Sequence, residues 1–207
     1  MKRSNDAGTE AEFPDVTRQD ARVAMISPWG SGTDEPGLPL RARRENPAGL
    51  LSLTRFRTVS PDRDRDLWYA QWTDDEACLR WLDDGDAPPA RYLLHLSYRP
   101  PTDQGAPTLL ATPRFACDGR VSQQRLAGTI LANLTALAPP GLVGAHLHLS
   151  VDGSRLVNYA EWTEEAAWRA FVGGPAAERM RSAFDTLDGV ALLNSPRGVA
   201  RYRLDGS

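Results

Sequence analysis

The chain has little of what usually dictates a fold or a chemistry outright. Of its 207 residues only Cys78 and Cys117 are cysteines. Two thiols without metal-ligand spacing exclude a disulfide framework and suit a reducing compartment. The histidines are His95, His146 and His148. His146-x-His148 has no further ligand at usable spacing, so neither a metal nor a cofactor is expected. No apolar run approaches the ~20 residues of a membrane helix, and residues 1–20 lack the apolar segment of a signal peptide. A cytoplasmic protein without a membrane partner is therefore expected. An excess of one charge is missing too. The net charge is -3 and the pI about 5.6, with arginines interspersed among acids. Such a surface has no field to hold a phosphate backbone, which argues against a nucleic-acid partner. The patterns GxxxxGK[ST], HExxH and GxSxG are all absent. Gly30-Ser31-Gly32 has Glu35 where a dinucleotide fingerprint needs its third glycine, and the prolines at 36 and 39 exclude the helix that would follow.

What the chain does have is a segment that occurs twice. Leu67-Trp68-Tyr69-Ala70-Gln71-Trp72-Thr73-Asp74-Asp75-Glu76-Ala77 is echoed 90 positions later by Val157-Asn158-Tyr159-Ala160-Glu161-Trp162-Thr163-Glu164-Glu165-Ala166-Ala167. Each copy alternates like a strand and then meets a threonine and two acids, the composition of a capped helix start. A repeat of this length is a whole unit rather than a solenoid module. At 41% hydrophobic and 25% charged residues, the chain can bury two small cores or one shared core.

Residues 1–20 read as a disordered tail, followed by two units over 21–101 and 107–207. In the first, a short strand from Arg22 stops near Pro28, a breaker-rich loop spans 29–49, and strands 50–59 and 66–72 flank a turn at 60–65. A helix is predicted over 73–83 and a strand over 91–99. In the second, a strand over 108–116 precedes a helix over 122–138, with Leu126, Ile130, Leu134 and Leu137 at helical spacing. Strands 142–150 and 156–162 flank the turn Asp152-Gly153. Thr163 is read as the cap of the next helix, Gly173-Gly174-Pro175 breaks it, a second short helix covers 176–187, and extended chain finishes at Leu204. Ala90-Arg91-Tyr92 reappears as Ala200-Arg201-Tyr202, an offset of 110 that places the additional short helix in the second unit. The order is βαββαβ, the ferredoxin-like arrangement, complete in the second unit and degenerate in the first.

The stretch Gly144-Ala145-His146-Leu147-His148-Leu149-Ser150-Val151-Asp152-Gly153-Ser154-Arg155-Leu156-Val157-Asn158-Tyr159-Ala160-Glu161-Trp162 resembles the antibiotic biosynthesis monooxygenase family of dimeric α+β barrels. The resemblance covers the second half, and the first only through Trp68-Tyr69-Ala70-Gln71-Trp72. It implies two ferredoxin-like domains in one chain, their sheets packed face to face as an intramolecular dimeric α+β barrel. Further homodimerisation is left open. It also implies a cofactor-independent monooxygenase that oxidises an aromatic polyketide, such as an anthrone, to a quinone with O2. The family's substrate-binding Asn and Trp map onto Asn158 and Trp162.

The residues support part of that site on their own. Asn158 and Trp162 are four apart on a predicted strand, so both face one side, with Ala160 leaving room between them. An amide and an indole N–H can hydrogen-bond a phenol or carbonyl while the ring stacks on a flat substrate. His148 is the candidate general base, its ordinary pKa being near neutrality. His146, Tyr159, Trp168, Phe171 and Arg181 are candidate substrate-binding residues; Arg181 would pair with a phenolate. Against each stands a structural role: core aromatics, satisfied histidines, a solvated arginine. A non-catalytic polyketide-binding module and a polyketide cyclase are the competing functions.

Overall fold

The computed structural model describes residues 12–29, 47–59, 66–81, 90–193 and 198–205. Residues 30–46 of the predicted loop, the turn at 60–65, residues 1–11 of the predicted tail and residues 194–197 of the final extended stretch lie outside them.

Ten strands run in chain order: β1 Val23–Trp29, β2 Leu50–Thr58, β3 Asp66–Trp72, β4 Arg91–Tyr98, β5 Leu109–Thr112, β6 Arg114–Cys117, β7 Leu142–Ser150, β8 Arg155–Trp162, β9 Val190–Leu192 and β10 Ala200–Leu204. The described helices are α1 Asp75–Trp81, α2 Arg120–Leu137, α3 Glu165–Val172 and α4 Pro175–Asp185. The predicted strand 108–116 is split at Pro113, which has no N–H to give a ladder.

The strands pair in the order β5-β10-β2-β3-β1-β4-β7-β8, and β8 pairs back with β5 to close a ring of eight. β6 and β9 continue the sheet beyond β8. The chain is thus a mixed α+β protein built on a closed barrel. Within the first half the order is β4-β1-β3-β2, and within the second β10-β5-β8-β7. The halves meet reciprocally, β4 beside β7 and β10 beside β2. The sheets therefore join edge to edge around a shared interior, which leaves no open edge at either seam.

Ring closure buries the inner faces of the strands, and helices bury the outer faces of β7 and β8 as well, whereas β4 stays largely exposed. Ile26, Phe56, Leu67, Tyr69, Leu110, Val157, Tyr159 and Tyr202 fill the barrel. Outside it, α2, α3 and α4 cover the second half through Leu126, Ile130, Leu134, Trp168 and Met180, packed on Leu109, Phe115, Leu147 and Leu156. In the first half α1 covers Met25, Trp68, Ala70 and Trp72 with Ala77, Cys78 and Trp81. Both cysteines are free and buried, and burial pushes the Cys78 thiol up to about 12.

Residues 12–20, read as tail because of their polar composition, pack instead. Phe13 and Val16 join the barrel-interior cluster, the Asp15 carbonyl accepts from the Gln71 amide at 2.9 Å, and Arg18 donates to the Leu51 carbonyl. Two apolar side chains suffice to anchor a segment whose remaining residues are polar. The helix starts also differ from expectation. Asp74, not Thr73, caps α1 by accepting from the Ala77 N–H, and α3 begins at Glu164 with no side-chain cap.

The halves reproduce each other closely where β3 and β8 hand over to helices. Thr73 N–H donates to the Gly49 carbonyl, and Thr163 N–H to the Gly141 carbonyl, both at 2.9 Å. Gly49 and Gly141 have φ of +90° and +79°, and a Cβ on either would lie 2.5 Å from the methyl of Ala77 or Ala167. Left-handed backbone and absent space both demand glycine. Gly141→Ala should therefore lower the unfolding free energy by about 2–4 kcal/mol, and Gly49→Ala similarly. Urea denaturation of the full chain checks this, with a change below the error of the fit as the contrary result.

Candidate active site

β8 assigns its alternate residues to two compartments. Leu156, Asn158, Ala160 and Trp162 face the helices, whereas Val157, Tyr159 and Glu161 face the barrel interior. Opposite them on β7, Leu147 pairs with Asn158 and His148 with Val157. Residues directly opposite in an antiparallel ladder share a face. The register therefore separates His148 from Asn158 by the thickness of the sheet.

On the helix side lies a cavity of about 70 Å³. Asn158, Ala160 and Trp162 form its floor, Trp168 and Phe171 of α3 one wall, and Met180 and Phe184 of α4 another. Ala160, with its single methyl, leaves the space between the amide and the indole. No titratable side chain lines it. Of its lining side chains, Asn158 through Oδ1 and Trp162 through Nε1 carry a buried polar atom without a hydrogen-bond partner. Leaving such groups unpaired costs about 1–3 kcal/mol apiece, and here one acceptor and one donor face the same apolar space. The Trp162 and Phe171 rings lie 5.4 Å apart at 37°. The Arg201 guanidinium stacks 4.5 Å over Trp168, with Glu165 3.4 Å from its Nε, which holds that wall in place.

An open groove of about 570 Å³ runs beside the cavity, lined by Pro139, Pro140, Gly141, Thr163 and Pro175. Phe171 lines both. It stands as the partition between groove and cavity.

Four of the eight predicted site residues, Asn158, Trp162, Trp168 and Phe171, come together in this cavity. His148, His146 and Tyr159 do not; they point into the barrel, each fully enclosed. His148 Nδ1 lies 3.1 Å from the His146 carbonyl, and its Nε2 lies 3.2 Å from the Tyr69 hydroxyl. A carbonyl can only accept, so the ring proton sits on Nδ1 and the Tyr69 O–H donates to Nε2. Burial first, then the neighbouring His146, push the His148 pKa down to about 3. A neutral imidazole across the sheet cannot serve the cavity as its base, which corrects the role given to His148. Arg181 is also elsewhere, exposed on α4 and donating to the Val172 carbonyl at 3.4 Å. Arg201 behind Trp168 was not foreseen, because its contact crosses from β10 to α3 and no local spacing encodes it.

In the first half Trp68 takes the place of Asn158. It is buried with Trp72, Trp81, Met25 and Cys78, so side chains fill the space that the second half leaves open.

No family model matches the chain. A search of solved structures finds an anthrone oxidase-like protein at TM-score 0.63 and 14% identity, covering 90% of this chain and 92% of that one. A ferredoxin fold protein from Listeria monocytogenes, related to antibiotic biosynthesis monooxygenases, gives TM-score 0.52 at 13% identity over 89% and 95% of the two chains. These likenesses carry the fold. In sequence, 46 residues are 48% identical to the tetracenomycin-F1 monooxygenase of Streptomyces glaucescens, spanning 22% of this chain and 38% of that protein. The chain belongs to the antibiotic biosynthesis monooxygenase family. No described helix is long and apolar enough to cross a membrane.

The placement of His148 makes a testable statement about pH. Its folded pKa lies below the ordinary 6.5 of the unfolded chain, so between the two the unfolded state binds the additional proton. That contribution to stability is whole above about pH 6.5 and is lost on acidification towards pH 3. His148→Phe copies the residue at the equivalent first-half position, Phe56. The variant should fold and show a stability slope between pH 6 and 4 shallower by about 1.4 kcal/mol per pH unit. Denaturation series at several pH values read this, and an unchanged slope contradicts it.

Proposed function

We propose that this member of the antibiotic biosynthesis monooxygenase family is a cofactor-independent monooxygenase acting on a hydroxylated anthrone-like polyketide. The observation that carries the reading is the unpartnered amide oxygen and indole N–H aimed into one apolar cavity. The balanced reaction takes one CH2 of the anthrone and one O2 to a quinone carbonyl and water. A phenol O–H of the substrate donates to Asn158 Oδ1, while Trp162 N–H donates to the oxygen that gains charge when the ring system is deprotonated. Trp162 thereby stabilises the anion in a dry site, where such a bond is worth more than in water. The electron-rich anion passes one electron to triplet O2; recombination gives a peroxide anion, a proton returning from solvent makes it the hydroperoxide, and loss of water leaves the quinone. With no titratable side chain in the lining, the first proton leaves to solvent along the groove.

A three-ring substrate requires several hundred Å³, more than the 70 Å³ present. Displacing Phe171 towards the groove would join the two spaces. The reading also takes residues 21–101 and 107–207 as two ferredoxin-like domains packed as a tandem barrel, the first having exchanged its site for a tryptophan-filled core. A non-catalytic polyketide-binding module is the second reading, favoured by the absence of any acid or base from the cavity.

Oxygen uptake by the purified full chain with a hydroxylated anthrone tests the first against the second. One O2 should be consumed per quinone formed. Trp162→Phe and Asn158→Leu should each lower turnover by about 100-fold, with ligand affinity changed far less. Binding without uptake above the enzyme-free rate would leave the binding module standing and remove the oxygenase.

A further inference from the structure

The barrel interior holds a second polar array that the cavity does not use. Ser97 of β4 pairs in register with His146 of β7, and its Oγ lies 2.9 Å from His146 Nδ1. The other ring nitrogen of His146 has no hydrogen-bond partner and faces a Glu161 carboxylate oxygen at 3.6 Å. His146 is wholly buried and Glu161 only 5% exposed, whereas Ser97 is open to solvent. The hydroxyl of an exposed residue, a buried imidazole and a buried carboxylate thus lie in series. We propose that Ser97, His146 and Glu161 form an acyl-transfer site, with Ser97 as nucleophile, His146 as general base and Glu161 as the group that orients and stabilises the imidazolium.

The molecule contains its own control for what the fold requires. Strand register makes Gly144, His146 and Glu161 the counterparts of Ser52, Thr54 and Gln71. In the first half Ser52 Oγ donates to Gln71 Oε1 at 2.6 Å, and the Gln71 amide goes on to the Asp15 carbonyl. That arrangement is neutral and satisfied. The second half substitutes a carboxylate and an imidazole, groups unfavourable to bury without full pairing, so packing does not call for them. It also removes the side chain at 144, where a Cβ would stand 3.0 Å from both Glu161 Oε2 and His146 Nε2. The room left there allows the carboxylate to close the remaining distance to a hydrogen bond.

Access is provided by the barrel wall. Among the described residues β4 pairs with β1 only at Arg91 and Tyr92, so its later residues run past that neighbour. Leu94, which register places on the same face as Ser97, is 38% exposed there. An apolar rim beside the hydroxyl suits a carboxylic ester with an apolar acyl part. Ser97 Oγ adds to the ester carbonyl as its proton passes to His146 Nδ1. The C–O bond to the alcohol breaks, and the departing oxygen takes that proton. Water, the co-reactant, then cleaves the acyl-serine by the same route, giving acid and alcohol with Ser97 restored.

Treating the full chain with a fluorophosphonate probe, and separately with p-nitrophenyl butyrate, tests the proposal. A single adduct should map to Ser97 in peptide mass spectra. Ester hydrolysis should fall by about 100-fold in Ser97→Ala. In Glu161→Gln, which copies the neutral residue of the first half and so preserves folding, turnover should fall by about tenfold or more with KM retained. Circular dichroism verifies that both variants are folded. No adduct on Ser97 in folded wild-type protein, wild-type hydrolysis in Ser97→Ala, or wild-type turnover in Glu161→Gln would each overturn the triad. None of these readouts involves oxygen or the Asn158 cavity, so the outcome is independent of the oxygenase.

Discussion

Closure of the eight-stranded ring is the constraint on which everything else rests. The reciprocal seams, β4 with β7 and β10 with β2, give each strand an inner face towards the barrel and an outer one that, on β3, β7 and β8, meets a helix. From then on strand register decides chemistry. A single step along β8, from Asn158 to Tyr159, crosses from an apolar cavity under α3 and α4 to an enclosed interior. Two neighbouring residues of one sequence motif consequently serve environments that never communicate directly.

That division explains which parts of the site could be read in advance. The spacing of Asn158, Ala160 and Trp162 has period two, and period two is what a strand preserves, so their common face was legible. Trp168 and Phe171 follow at the spacing of a short helix and complete the same wall. The roles of His146 and His148 were not legible, because an alternating pattern says that two residues share a face without saying which face. In an ordinary half-exposed strand polarity would identify the solvent side. In β7, buried on both faces, the polar residues are on the inside, against Tyr69, Ser97 and Glu161. The fold order itself was legible from turn residues and from the doubled motif. The docking of residues 12–20 rests on Phe13 and Val16, too few apolar positions to form a periodic signal.

Comparison of the halves separates architecture from chemistry. What they share is backbone: the glycines at 49 and 141, the carbonyl-to-threonine bonds that follow, and the bulges after Leu50 and Leu142. What they do not share lies at the ends of side chains. Trp68 against Asn158 closes one cavity and opens the other. Phe56 against His148 and Gln71 against Glu161 remove titratable groups from one side of the interior and place them on the other. Backbone features common to both halves therefore belong to folding. Those peculiar to the second include the unpaired Asn158 oxygen and the buried His146, His148 and Glu161.

Because both sides of the ring belong to one polypeptide, a change at one seam need not be mirrored at the other. Two identical subunits around a dyad would receive every substitution twice, and an aromatic plug that seals one cavity would seal its twin. Here Trp68 can fill one floor with no effect on Asn158. The lobe carrying Trp68 is thereby free to bury that indole while the opposite lobe carries the polar groups.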